Sequence, residues 1–369
     1  MQTQNFGFGI EAEFLLVDRE SFRPLGYSNL DCQSLLDLVD TIPTDDCSRQ
    51  GFNKKPLHNE ITPYLIEGYT LTDPELKPLK LLPKGIEIRT PLTDSIENCT
   101  VSLNDLYSRL KKKLLESNMD AAMISYHPTE ARLDAPRNYK CNDYWQWALT
   151  ATTTYGPDIN ISLPPHLEET IDLGRIAARV NYYAPSAIAL TLASPIREGG
   201  LWRIDNRIGK SVRTFERSKW APIFYVHEKP SLRFEFKGFE MSTRLTDYHA
   251  MFLIGLALLL DENLDGTDTD ESRITALETI AVTGLENSEV QNRAIKVLES
   301  AEKIASQIMI DNTCLSEFWD RLNYKFLPSD KIAESFIQTG SIEETLRTLS
   351  NFETCDQTGT NNPRISCCA

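Results

Sequence analysis

Residues 6–16, FGFGIEAEFLL, place two carboxylates two positions apart inside an otherwise apolar run. A strand turns successive side chains to opposite faces, so Gly9, Glu11 and Glu13 share one face while Ile10, Ala12 and Phe14 share the other. One face can join a core; the other is acidic. Neighbouring carboxylates on a covered face repel each other and lose hydration, a state that holds only when one is protonated or a cation lies between them. A lone E-x-E also fits the wet face of an edge strand, so the rest of the chain has to separate the two readings.

The pattern returns twice. GIEIRTP carries Glu87 between Ile86 and Ile88, and SLRFEFKGFE (231–240) puts Arg233, Glu235 and Lys237 on one face with Phe234 and Phe236 on the other. Three strands that aim acids away from an apolar back face suggest one concave surface able to hold hard cations through oxygen ligands. A cross-strand ladder of ion pairs is the plain alternative. Arg233 and Lys237 beside Glu235 suit a phosphate or carboxylate group.

Between these strands the chain reads as helix. SIENCTVSLNDLYSRLKKKLLESN (95–118) spaces Val101, Leu103, Leu106, Leu110 and Leu114 along one stripe, and its basic run (109–116) forms the wet face. The stretch IDLGRIAARVNYYAPSAIALTLAS is expected to be a helix interrupted at Pro185, and from about residue 245 the pattern is helical throughout. MFLIGLALLL (251–260) is too short to span a bilayer and reads as a buried helix. The expected class is α+β: a curved, mostly antiparallel sheet covered by helices and closed by C-terminal helices. No linker divides the chain, so residues 1–350 are expected to form one domain, followed by a polar, cysteine-containing tail at 351–369.

Composition narrows the function. With 41% apolar residues the 369-residue chain can bury a large core, and a net charge of −15 disfavours nucleic acid or an anionic membrane as partner. The start runs straight into a strand without a basic leader. The eight cysteines (32, 47, 99, 141, 314, 355, 367, 368) show no C-x-x-C spacing. The expectation is a cytoplasmic protein with reduced thiols. Assembly into a homo-oligomer is left open.

Taken in order, G-I-E-A-E-F, I-E-I-R-T-P, S-Y-H-P (125–128), APSAIALTLASP, G-x-S-x-R (Gly209, Ser211, Arg213) and R-F-E-F-K-x-x-E resemble the glutamate-cysteine ligase type 2 family over roughly residues 7–260. The resemblance implies a fold like the glutamine synthetase catalytic domain, with ATP and Mg2+ (or Mn2+) as cofactors. It implies phosphorylation of a substrate carboxylate, then attack of an amine on the acyl phosphate. Small carboxylates and amines, amino acids among them, are the implied partners. Glu11, Glu13, Glu87 and Glu235 match the metal ligands, Arg213 and Lys237 act with Glu235 in catalysis, and Arg213, Lys237 and Arg233 hold the nucleotide. Two departures stand out: DINIS offers Asp158 and Asn160 where better-known members carry a metal-binding histidine, and Lys237 replaces an arginine. Asn160 is carried over as a metal ligand through its amide oxygen. A non-catalytic binding protein on the same fold, or a guanidino-type phosphotransferase, is the alternative.

Among the remaining candidates, His58, Glu60 and Glu67 fit either extra ligands or loop residues. His127 reads as a packing group at a strand-ending turn or as a general base, His249 as a core or capping group, and Glu240 as an ion-pair partner of Arg233 or Lys237.

Overall fold

The computed structural model describes residues 6–135, 143–217, 220–228 and 232–353. The acidic strand of the opening motif, β1 (Gly7–Asp18), is the axis of the sheet. On one side it pairs antiparallel with β3 (Pro78–Arg89), which in turn pairs with β2 (Tyr64–Thr72). On the other side its first half pairs with β5 (Pro157–Ser162) and its second half with the short β4 (Met119–Ala122). Beyond β5 lie β11 (Arg233–Phe236) and β10 (Phe224–His227), again antiparallel. Two small hairpins, β6 (Ile196–Arg197) with β7 (Gly200–Leu201) and β8 (Arg203–Ile204) with β9 (Arg207–Ile208), lie outside this sheet.

The apolar face of β1 is buried as alternation requires: Phe8, Ile10, Ala12 and Phe14 are at most 1% exposed. Helices cover that face. Of α1 (Cys32–Asp40) and α2 (Ile96–Glu116), the second lays Tyr107 against Phe14 with ring centres 4.8 Å apart. Ser95 starts α2 by accepting the Asn98 N–H. Its buried stripe runs through Cys99, Leu103, Leu106, Leu110 and Leu114, whereas Val101 is 60% exposed. Cys99 takes the inward position one turn before Leu103, so the expected stripe is corrected by about half a turn at its start.

Next come α3 (Asp143–Ala151), α4 (Pro165–Glu168) and α5 (Leu173–Ala189). The expected interruption at Pro185 does not occur; α5 continues through it. Proline removes the bond to the carbonyl four residues back, but Tyr183–Ala189 is buried throughout, and that packing outweighs the local loss. After the short α6 (Val212–Phe215), α7 (Leu245–Leu260) is apolar on all sides and buried, as its sequence indicates. Phe252 of α7 meets Phe8 edge-on at 5.4 Å. Gly255 lets α7 approach the sheet: a Cβ there would stand 2.8 Å from Ile161 of β5 and 3.1 Å from the Phe236 ring of β11.

The C-terminal part is helical, with α8 (Asp270–Thr283), α9 (Ser288–Ile308), α10 (Leu315–Tyr324), α11 (Pro328–Thr339) and α12 (Ile342–Thr348). At the start of the expected tail, Phe352 packs on Tyr107 and Tyr248, and the Glu353 N–H donates to Thr243 O at 2.7 Å. Residues 354–369, and Cys141, lie outside the described residues. No helix among the described residues is long and apolar enough to cross a membrane.

Candidate active site

Antiparallel register fixes which side chains share the face opposite the core. Glu11 stands opposite Asp158 on β5 and Arg89 on β3, and Glu13 opposite Glu87. Further out, Glu235 stands opposite Asn160, Arg233 opposite Ser162, and Glu67 opposite Gly85. Five adjacent strands thus present one acidic surface, which lines a cavity of about 940 Å³. All three acidic strands read from the sequence meet there.

The acids divide into two groups of three. Oxygens of Glu11, Asp158 and Glu235 lie within 4.8 Å of one another, as do oxygens of Glu13, Glu67 and Glu87. Both sets offer only oxygen, the donor set of a hard divalent cation. Glu67 and Asp158 complete what Glu11, Glu13, Glu87 and Glu235 begin. Crowding shows in their protonation. Burial and the Glu13 charge push the Glu67 carboxyl up to about 7, and burial with Glu67 and Glu11 pushes Glu87 well above the carboxylate range. Burial raises Asp158 to about 7 against the pull of Lys237. Burial also opposes ionisation of Glu235, but Lys237 and His227 outweigh it and hold that carboxyl below its ordinary value.

Lysines reach both groups. The Lys237 ammonium donates to Asp158 and, at 2.8 Å, to Glu235 Oε1, while the imidazole of His227 meets Glu235 Oε2 at 2.8 Å. Lys84 donates to Glu13 Oε1 at 2.7 Å and to Thr154 O at 2.6 Å. Strict alternation would send Lys84 to the core with Ile86 and Ile88. The pairing shifts at Glu67/Gly68, however, and leaves Lys84 as an extra residue on β3. This bulge re-aims its side chain into the cavity.

The other expected site residues take different parts. Asn160 shares the acidic face, yet its Oδ1 accepts from Arg233 at 2.9 Å, so its amide oxygen is engaged by that guanidinium. Arg213 lines the cavity, but its guanidinium donates to the carbonyls of Lys237, Gly238 and Phe239 at 3.0–3.2 Å. The approach depends on Gly156, where a Cβ would overlap the guanidinium, and whose N–H donates to Glu13 Oε2 at 3.1 Å. Arg217 joins it on the Lys237 carbonyl. Glu240 pairs with neither Arg233 nor Lys237. It is fully buried and accepts from the Ala193 N–H and the hydroxyls of Ser194, Ser211 and Thr214, which fastens the G-x-S-x-R segment to the end of β11.

Unlike His227, the histidines His58 and His127 make contacts with the backbone of their own surroundings. The His58 Nε2 accepts the Ile66 N–H at 2.9 Å and Nδ1 lies 3.1 Å from Pro56 O, so the ring is the neutral Nδ1–H tautomer and braces β2 next to Glu67. Burial lowers its pKa. Burial holds His127 at about 4, with Nδ1 accepting the Glu130 N–H at 3.0 Å. His249 lies in α7, away from the cavity lining, and Glu60 lies in an exposed loop.

Comparison with known proteins agrees with this fold. The family model described as glutamate-cysteine ligase family 2 matches residues 7–207. Among curated proteins none matches the sequence. A bifunctional glutathione synthetase from Pasteurella multocida shares the fold with a TM-score of 0.61 at 14% identity, over 94% of this chain and 52% of that one. A glutamate-cysteine ligase from Francisella tularensis, solved in complex with AMP, gives a TM-score of 0.60 at 12% identity, over 94% of this chain and 88% of that one. This chain therefore spans about half the length of the Pasteurella protein.

Proposed function

This chain belongs to glutamate-cysteine ligase family 2, and from that premise we propose that it is an ATP- and Mg2+-dependent carboxylate-amine ligase forming an amide bond through an acyl phosphate. The observation that carries the reading is the pair of three-carboxylate groups facing one cavity. The AMP in the Francisella ligase structure supports a nucleotide as co-substrate. Residues 1–350 are read as one catalytic domain acting in the cytoplasm on small carboxylates and amines.

On this reading Glu11, Asp158 and Glu235 hold one divalent ion and Glu13, Glu67 and Glu87 another. Bound there, magnesium would neutralise charge between the nucleotide phosphates and a substrate carboxylate. Arg233 and Lys237 both line the cavity beside Glu235 and are suited to meet phosphate oxygens. Arg213 and Arg217 hold the carbonyl of Lys237 and so set where its side chain starts. The substrate carboxylate oxygen attacks the γ-phosphorus and ADP departs; the amine nitrogen then attacks the acyl carbon, and phosphate and a proton leave.

The test is phosphate release from ATP and Mg2+ across a panel of amino acids, with mass spectrometry of the product. An amino acid that stimulates release and yields a condensed amide supports the ligase. Glu11→Gln and Glu13→Gln should each reduce turnover at least about 100-fold with the fold intact. ATP binding without a condensed product would favour the non-catalytic or phosphotransferase alternatives.

A further inference from the structure

The two carboxylate groups are furnished differently. Lys84 touches one acid of its group, Glu13, and its second bond goes outward to the carbonyl of Thr154. Among the described residues no lysine or arginine forms an ion pair with Glu67 or Glu87. In the other group the Lys237 ammonium bridges two of the three acids, Asp158 and Glu235, and His227 takes the second oxygen of Glu235. Within that group both Glu235 oxygens are engaged before any metal arrives.

The backbone of Lys237 is fixed from both sides. Its N–H donates to Ile223 O at 2.8 Å, and its carbonyl accepts from Arg213 and Arg217. Only the side chain is free to choose a position, and it lies between two acids. An ammonium and a dication on the same two carboxylates repel each other strongly at such separations. We propose that Lys237 is a resident cation of the Glu11, Asp158 and Glu235 group and holds the place of one divalent ion in the nucleotide-free protein. The group of Glu13, Glu67 and Glu87 is then the first to load. The inference rests on the metal assignment of the proposed function and adds an order and a count to it.

Titration of the full chain with Mn2+, read by electron paramagnetic resonance of the free ion and without nucleotide, tests this directly. The wild type is expected to bind one ion tightly and Lys237→Met two, the second at least about tenfold tighter than in the wild type. Lys84→Met removes the same charge from the other group and is expected to stay at one. Glu87→Gln leaves Lys237 in place and is expected to bind none tightly, so the proposal can be decided even if Lys237→Met does not fold. Two tight ions in the wild type, one in folded Lys237→Met, or one remaining in Glu87→Gln would overturn it. No tight Mn2+ in any of these proteins would overturn it together with the metal assignment, a result distinct from a wrong count.

Discussion

Glu13 and Glu87 face each other directly across the antiparallel pairing of β1 with β3. Like charges in this relation oppose pairing by about 0.2–1 kcal/mol, and burial adds to the cost. Without a divalent ion the conflict is relieved by protonation of Glu87 and Glu67 and by the single ammonium of Lys84 on Glu13. The site is therefore built against local stability, which is the pattern of a functional centre rather than of a structural ladder.

A pH dependence follows. Glu67 has a folded pKa of about 7 against an ordinary 4.5, so the folded state holds a proton that the unfolded chain has lost. That stabilisation is complete below about pH 4.5 and disappears as the pH rises to about 7. His127, depressed to about 4, acts in the opposite sense and costs stability as the pH falls below about 6.5. The cleaner quantity is the difference between Glu67→Gln and the wild type in chelator. The variant should melt at the same temperature near pH 4.5 and higher than the wild type near pH 7.5. Saturating Mn2+ should remove or reverse that advantage. A constant difference across this range would contradict the protonation assigned to Glu67.

His58 supports the same strand by accepting the Ile66 N–H. Loss of that acceptor leaves a buried N–H without a partner, so His58→Ala should cost about 1–3 kcal/mol in denaturant unfolding. His58→Gln, which keeps an acceptor, should recover part of it. Because Ile66 precedes Glu67, Mn2+ affinity should fall with stability in His58→Ala. Unchanged stability with lost turnover would instead make His58 a participant in the chemistry.

For Arg213 the geometry predicts a structural loss before a kinetic one. Its guanidinium satisfies three successive carbonyls at the end of β11, and Arg213→Ala should lower unfolding stability on the order of 3 kcal/mol. Turnover should fall as well, through displacement of Lys237. If Arg213→Ala kept the wild-type unfolding midpoint and lost only turnover, the guanidinium would be acting on phosphate itself.

Period-two alternation was enough to read the acidic face in Glu11, Glu13, Glu87 and Glu235, because each sits between apolar neighbours in an unbroken strand. Asp158 also obeyed it. Glu67 was ambiguous because YLIEGYT has no clean alternation: Leu65 is buried on the same face, opposite Glu87. Lys84 could not be read at all, since the bulge that turns it inward arises from a pairing between two strands. Lys237 lies one residue past the end of β11 yet keeps the face that alternation gives it with Arg233 and Glu235; that its ammonium bridges Asp158 and Glu235 follows from the pairing of β11 with β5. The partners of Arg213 and Glu240 are not legible from charge: both side chains are buried, and they meet carbonyls, hydroxyls and an amide rather than opposite charges. The path of α5 through Pro185 was set by tertiary packing, which no local preference records.

The central claim is that the cavity activates a carboxylate with ATP. Its most direct measurement uses the amino acid that stimulates phosphate release, labelled with 18O in its carboxylate, and mass analysis of the phosphate set free. An acyl-phosphate path carries one substrate oxygen into each phosphate, so the account predicts singly labelled phosphate in step with amide product, and neither in Glu11→Gln. Unlabelled phosphate from the wild type would show that water attacks ATP, and would contradict the account.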